Sequence, residues 1–287
     1  MTFKNAIGHV GIFTHELRAE DPALTPTLLE AAGMLEHLGF GAIWLGGNSD
    51  VRHAERLVTA TSRIVVATGI TNIWHRPASV VAEDRARLNS THPGRFLLGL
   101  GASHAELTPA YRRPYSAMQQ YLDGLDSADH PVTPRARVLA ALGPKMLELS
   151  RDRAAGAIPY LVTPEFTAAA REILGAEPLL APEVGVVLEH RAERARPIAR
   201  EFLRYYLQLP NYIVNLKRLG FDDEDFQDAG SDQLVDSLVI WGNDEEIRRR
   251  IHDFHAAGAD HVAVQVLTSG HETVPLTQWK RLAEVTL

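Results

Sequence analysis

The feature that most constrains this chain is a set of recurring joints. Short, almost wholly apolar runs alternate with amphipathic helical stretches, and similar turn chemistry separates them each time. Thr25-Pro26 sets an N-cap before a proline at the first helical position. Leu28, Ala32 and Leu35 then recur on one face at spacings of four and three. Gly39 can close that helix in the left-handed conformation, and Ala42-Ile43-Trp44-Leu45 reads as a short buried strand. The unit returns from Pro77 through Leu88, across His92-Pro93-Gly94, into a strand over 96–101. Further strands are expected at 7–13, 63–68, 138–142, 158–162, 184–188 and 261–266. Helices are expected from Gly143-Pro144, closed by Gly156, from Thr163-Pro164, and from Asn243, where Glu246 completes a capping box.

Continuous apolar strands between amphipathic helices indicate a parallel sheet covered by helices. About eight such units fit an α/β fold of the (β/α)8 TIM-barrel type, with a doubly wound open sheet as the competitor. Residues 191–236 depart from the alternation. They read as a helical insertion before the last strand, with an acidic run at Asp222-Asp223-Glu224-Asp225, inside a single domain spanning 1–287. A chain of 287 residues with 45% hydrophobic content can bury a substantial core. The absence of cysteine removes a disulfide scaffold and a thiolate nucleophile. A net charge of −7 argues against tracking a nucleic-acid backbone. With no long apolar run and no leader-like pattern in residues 1–20, a cytoplasmic enzyme is the expectation.

In a barrel, chemistry belongs where strands end and helices begin. That selects 8–17, 46–52, 69–76, 101–106, 142–144, 163–166, 189–190 and 267–272. Gly143-Pro144 and Thr163-Pro164 offer free backbone N–H groups at helix starts, suited to an anion or to ordinary capping. The run Thr68-Gly69-Ile70-Thr71-Asn72 reads either as a bulge at a functional rim or as a plain strand exit. Gly99-Leu100-Gly101-Ala102-Ser103-His104 fails as a dinucleotide fingerprint, because His104 replaces the third glycine. Serine-nucleophile, zinc-protease and phosphate-loop motifs are missing. No metal is expected: His252 and His255 share a helix, but no acidic cluster accompanies them. His75 and His104 lie just past strand ends and are the candidates for proton transfer; Trp44, Trp74 and Trp241 are candidate aromatic walls.

Five stretches, taken in order, resemble the bacterial luciferase-like superfamily of flavin-type barrels, and more narrowly its branch using the deazaflavin coenzyme F420. They are 38–45, 67–72, 92–101, 141–145 and 258–262. The resemblance implies a (β/α)8 barrel with an insertion near the seventh strand, often a homodimer. It implies a cis peptide bond at Gly69-Ile70 behind the cofactor ring, with Thr71 and Asn72 at the ring's polar edge. Gly101 and Ser103 would flank the cofactor, and Gly143, Pro144 and Thr163 would hold its ribityl-phosphate side. Trp44, Trp74 and His75 would wall the substrate. Two departures stand out: relatives carry a polar pair such as Asp-His where this chain has Gly46-Gly47-Asn48, and a glutamate where it has Ser103-His104. His104 is the nearest titratable replacement.

The resemblance therefore implies a hydride-transferring F420-dependent oxidoreductase acting on a small organic molecule. An FMN-dependent monooxygenase is the alternative, and a degenerate barrel that binds a flavin-like ligand without turnover is the third reading. An acidic cofactor on a net negative protein requires a local basic rim, for which Arg76, Arg112 and Arg113 are placed.

Overall fold

The computed structural model describes residues 2–270 and 274–287. Its strands are β1 (Val10–Thr14), β2 (Ala42–Gly46), β3 (Val65–Gly69), β4 (Thr71–Asn72), β5 (Phe96–Gly101), β6 (Arg137–Leu139), β7 (Gly156–Ala157), β8 (Leu179–Leu180), β9 (Glu183–Val187), β10 (Val239–Trp241) and β11 (Val262–Val266). Every pairing is parallel. The sheet runs β10-β9-β11-β1-β2-β3-β5-β6-β7-β8. β8 and β9 are one strand stepped at Ala181-Pro182, where the Ala181 and Glu183 N–H groups continue the ladder to the carbonyls of Ala157 and Pro159. With that step bridged, β1, β2, β3, β5, β6, β7, β8/β9 and β11 form a closed ring of eight, the TIM-barrel architecture.

Helices wrap the ring because each offers one apolar stripe. Thr25–Leu38 buries Leu28, Ala31, Ala32 and Leu35, and Asp244–Ala256 buries Ile247, Ile251 and Phe254. Thr163 and Asn243 cap as expected, their side chains accepting from the N–H groups of Phe166 and Glu246, but the box at Asn243 is half formed, with no return bond from the Glu246 side chain. Inside the ring, Phe13, Trp44, Ala67, Leu97, Val138, Ile158, Ala181 and Ala263 fill the barrel. Helices Ala192–Tyr206, Pro210–Arg218 and Asp232–Leu238 form a separate apolar cluster around Ala199, Leu203, Leu216 and Leu234. No helix among the described residues is long and apolar enough to cross a membrane.

Three local expectations are corrected. Thr25 is not an N-cap: it is the first residue of its helix, Leu24 holds the cap position, and no side chain caps it. Residues 158–162 are not a strand: β7 stops at Ala157, and after Pro159 the chain turns inward with Leu161 at φ 57°. Proline has no N–H to extend the ladder. Gly156 does not close a helix either. That helix ends at Arg153, and Gly156 lies in β7, where a Cβ would collide with the Leu179 carbonyl.

At the N-terminal end the interior is sealed. The Trp44 indole N–H donates to His261 Nε2 at 3.0 Å, so His261 Nδ1 carries the proton and donates to the Gly8 carbonyl at 2.8 Å. Burial pushes the His261 pKa down to about 4, leaving the ring neutral. The ring fits because position 11 is glycine: a Cβ there would stand 2.7 Å from His261 Nε2.

Candidate active site

The opposite, C-terminal mouth is built around the exit of β3. The Gly69-Ile70 peptide bond is cis, as the resemblance implied, and the chain resumes pairing as β4 against Leu100 and Gly101. Both backbone groups of Ile70 are held: its N–H donates to Gly47 O at 3.0 Å, and its carbonyl accepts from the Ser49 N–H at 3.0 Å. Glycine at 101 lets the Ile70 side chain lie against β5, since a Cβ there would stand 2.8 Å from Ile70 Cγ1. The run 68–72 is thus a bulge rather than a plain strand exit.

Beyond the bulge, Thr71 is 3% exposed and its hydroxyl has no hydrogen-bond partner among the described residues. Asn72 differs: its Oδ1 accepts from the Trp74 N–H at 3.1 Å, and its Nδ2 lies 3.3 Å from His75 Nε2. Its amide therefore fixes the turn that carries Trp74 and His75. Thr71, Asn72, His75, Asn48 and Ser49 line a cleft of about 180 Å³. Trp74 stands beside it, its indole N–H on the Ala102 carbonyl at 2.7 Å. Trp44 is corrected: it is 0% exposed within the barrel filling, because its position in mid-strand points it inward, so it is no substrate wall. Trp241 is held outside the ring by Asp236 and by the Arg196 guanidinium over its face.

Ser103 adopts φ 59°, turning the chain so that His104 lies against the Tyr212 ring at a centroid separation of 5.2 Å. His104 Nδ1 is 3.3 Å from Asn211 Nδ2, and burial holds the imidazole below the ordinary histidine range, with Glu106 opposing. Tyr212 belongs to a group that sequence reasoning missed. The Tyr160 hydroxyl lies 2.8 Å from the Tyr206 hydroxyl and donates to Gln265 Oε1 at 2.9 Å. Tyr206 and Tyr212 come from the insertion helices, so the insertion packs its tyrosines against Tyr160 and His104. Glu183, wholly buried, adds a carboxyl beside them. One oxygen accepts weakly from the Leu161 N–H at 3.4 Å, and the other has no partner among the described residues. Burial raises its pKa to about 8, so it is protonated at neutral pH.

The two helix starts behave differently. Thr163 is an ordinary N-cap: it is 3% exposed and its hydroxyl accepts from Phe166 N–H. Gly143 has no side-chain cap, and Arg218 from the insertion reaches it, with Nη1 3.6 Å from where a Cβ would stand. Of the arginines expected to form a basic rim, Arg76 is taken: it pairs with Asp50 at 2.7 Å and Asp84 at 2.9 Å. Arg112 and Arg113 lie on the segment between Thr108 and the helix Pro114–Asp126. The rim stretch 267–272 runs into residues 271–273, outside the described residues. Of the two histidines on one helix, His255 packs edge-on against His9.

The family model for the luciferase-like monooxygenase matches residues 9–123 and 111–261. A 5,10-methylenetetrahydromethanopterin reductase from Methanolobus tindarius is 23% identical, over 87% of this chain and 92% of its own length. Among solved structures, the coenzyme F420 dependent tetrahydromethanopterin reductase from Methanopyrus kandleri superposes with a TM-score of 0.74 at 18% identity, covering 98% of this chain and 99% of that one. The oxygenating constituent of 3,6-diketocamphane monooxygenase from Pseudomonas putida, in complex with FMN, gives a TM-score of 0.69 at 13% identity, covering 97% and 96%.

Proposed function

We propose a hydride-transfer function, proceeding from the premise that the chain belongs to the luciferase-like monooxygenase family. It is an oxidoreductase of the luciferase-like type. Within that class, the reading is an F420-dependent enzyme acting on a small organic substrate. The reductase resemblance in sequence and the F420-dependent structural relative support it.

The observation that carries a cofactor at this mouth is the Thr71 hydroxyl. A buried hydroxyl without a partner is costly, and a planar heterocycle with polar edge atoms would satisfy it. The residues present fit such a group. The Gly69 and Ile70 backbone would lie behind its ring, with Gly101 and Ser103 alongside and Thr71 and Asn72 at the polar edge. Gly143, Pro144 and Arg218 would hold an anionic tail, with Thr163 contributing helix-start backbone only. When bound, F420 would supply hydride transfer through its C5, whereas FMN would bring oxygen chemistry. His104 would move the accompanying proton: burial lowers its pKa, which favours the neutral imidazole, and its ring packs on Tyr212. Trp74 and His75 would bound the substrate. The second reading is an FMN-dependent monooxygenase, favoured by the FMN-bound relative.

The test is titration of the purified protein with F420 and, separately, FMN at low and moderate salt. Tighter binding of F420, weakening as salt rises, is the expected outcome. Preference for FMN would move the function to the monooxygenase reading, and binding of neither would remove both.

A further inference from the structure

The exit of β2 carries glycine at both 46 and 47, and two side chains from the exit of β1 stand in front of them. A Cβ on Gly46 would be 2.5 Å from Phe13 Cε1, 2.7 Å from His15 Cε1 and 2.9 Å from its Nδ1. One on Gly47 would be 3.0 Å from Arg18 Nη2 and 3.1 Å from its Nε. A side chain at 46 would displace the Phe13 ring and the imidazole, and one at 47 would push the guanidinium aside by a few tenths of an ångström. The presentation is rigid: Thr14 Oγ1 donates to Glu16 Oε2 at 2.6 Å, and Leu17 between them is wholly buried. It is also directed at the mouth. Gly46 is in register with Gly69, and Gly47 accepts the Ile70 N–H, so His15 and Arg18 stand beside the bulge.

The guanidinium is the anomaly. Arg18 is half-buried, and its Nε is shut off from solvent with no partner among the described residues. The carboxylates nearest in sequence and at the rim are engaged elsewhere: Glu16 by Thr14, Glu20 by Arg52 and His53, Asp50 by Arg76. Other arginines of the molecule, such as Arg137, Arg171 and Arg196, do find carboxylates. A half-buried cation with an unmet donor calls for an anion, and the planar fork of arginine matches a carboxylate. Beside it, burial holds His15 below the ordinary histidine range, against the pull of Glu16 and with the push of Arg18. A neutral imidazole there has an N–H to give to an oxyanion without adding a second charge.

We propose that Arg18 and His15, which occupy the space left by the missing side chains at 46 and 47, form a subsite for a carboxylate carried by the substrate. The assignment rests on the reading of this mouth as the active site and narrows the substrate to small organic acids. Arg18 and His15 thus select substrate, and the proton role stays with His104.

The test uses the full chain with histidine-labelled NMR, the His15 ring signals being identified by their loss in His15→Gln. Acetate and inorganic phosphate are titrated separately, without cofactor. Acetate is expected to shift the His15 signals saturably, with affinity falling about tenfold or more in Arg18→Gln and partly restored in Arg18→Lys. Thermal melts of each variant show that it is folded. No saturable shift, or the same affinity in Arg18→Gln, overturns the proposal. Stronger binding of phosphate than of acetate, with F420 and FMN affinity lost in Arg18→Gln, also overturns it, since the subsite would then serve the cofactor's own phosphate. Failure of the wild-type protein to bind either cofactor would sink the function reading above while leaving the acetate result to be judged on its own.

Discussion

The two ends of the barrel interior treat buried polar groups in opposite ways. At the N-terminal end, both nitrogens of His261 are engaged, one by Trp44 and one by the Gly8 carbonyl, inside an otherwise apolar filling. At the C-terminal mouth, Thr71 Oγ1, Arg18 Nε and Glu183 Oε1 are buried without partners among the described residues. Desolvating a polar atom costs the same at either end. A matched pair therefore marks a part of the fold whose job is to stay shut. Unmatched groups of complementary kinds, a hydroxyl, a cation and a protonated carboxyl, are what the proposed ligand site would draw on. Buried unmatched groups occur elsewhere too, as at Arg137 Nη2 near the start of β6, but that guanidinium already holds Asp126, the Val132 carbonyl and the Arg153 carbonyl.

The sharpest way to break this contrast is at the sealed end. Trp44→Ala removes a fully buried indole and leaves His261 Nε2 without its donor. The truncation and the orphaned nitrogen together should cost about 4–6 kcal/mol of folding stability. Denaturant unfolding measures it; a loss near zero would mean that Trp44 does not seal the interior.

At the mouth, Glu183 should make stability fall as pH rises. The folded protein keeps its proton up to about pH 8, while the unfolded chain releases it near 4.5, the ordinary glutamate value. The folded state thus binds more protons across that window. Its contribution is complete below the lower value and is lost progressively on approaching the upper one. By pH 8 the loss has an upper limit of about 4 kcal/mol. His261, with its lowered pKa, works the other way, losing stability as pH falls from 6.5 toward about 4. Glu183→Gln should therefore leave stability near pH 5 little changed and raise it relative to wild type near pH 8. Parallel pH profiles for the two proteins would place Glu183 in a better-solvated setting.

How much of this was legible beforehand follows from the physics of each signal. The barrel was readable because continuous apolar strands such as Ala42-Ile43-Trp44-Leu45 and capped helices such as that after Thr163 follow from local pattern alone. The bulge at 68–72 was only half readable: Gly69-Ile70 followed by the polar Thr71-Asn72 fits a bulge and a plain strand exit alike. Trp44 was misread because sequence shows that a tryptophan lies in a strand, not how deep in the barrel its side chain sits. The tyrosine group was hidden because Tyr160, Tyr206 and Tyr212 are brought together only when the insertion folds over a chain turned inward at Pro159. Glu183 did leave a trace, a lone acid breaking the apolar run from 179 to 188, and the expected strand was started one residue after it. Arg18 and His15 left none. Their position depends on what is missing at 46 and 47, and glycine in a rim loop is too common to carry that message.

The smallest effect, and the one that separates the two ends most cleanly, is expected at Thr71. Valine has nearly the shape of threonine, so Thr71→Val removes the hydroxyl and little else. At a structural position such as the matched N-cap Thr163, the same change would take away a hydrogen bond and destabilise the fold by about 1 kcal/mol. At Thr71 no protein partner is lost, and an unmatched buried hydroxyl is replaced by a methyl group, so stability should stay level or rise by up to about 1 kcal/mol. Cofactor affinity should move the other way, falling about tenfold through the loss of one hydrogen bond. Thermal denaturation and a cofactor titration on the same preparation read both quantities. Opposite signs mean that the hydroxyl serves the ligand. A loss of stability with affinity unchanged would put Thr71 among the matched groups of the fold and remove the observation on which the cofactor's position depends.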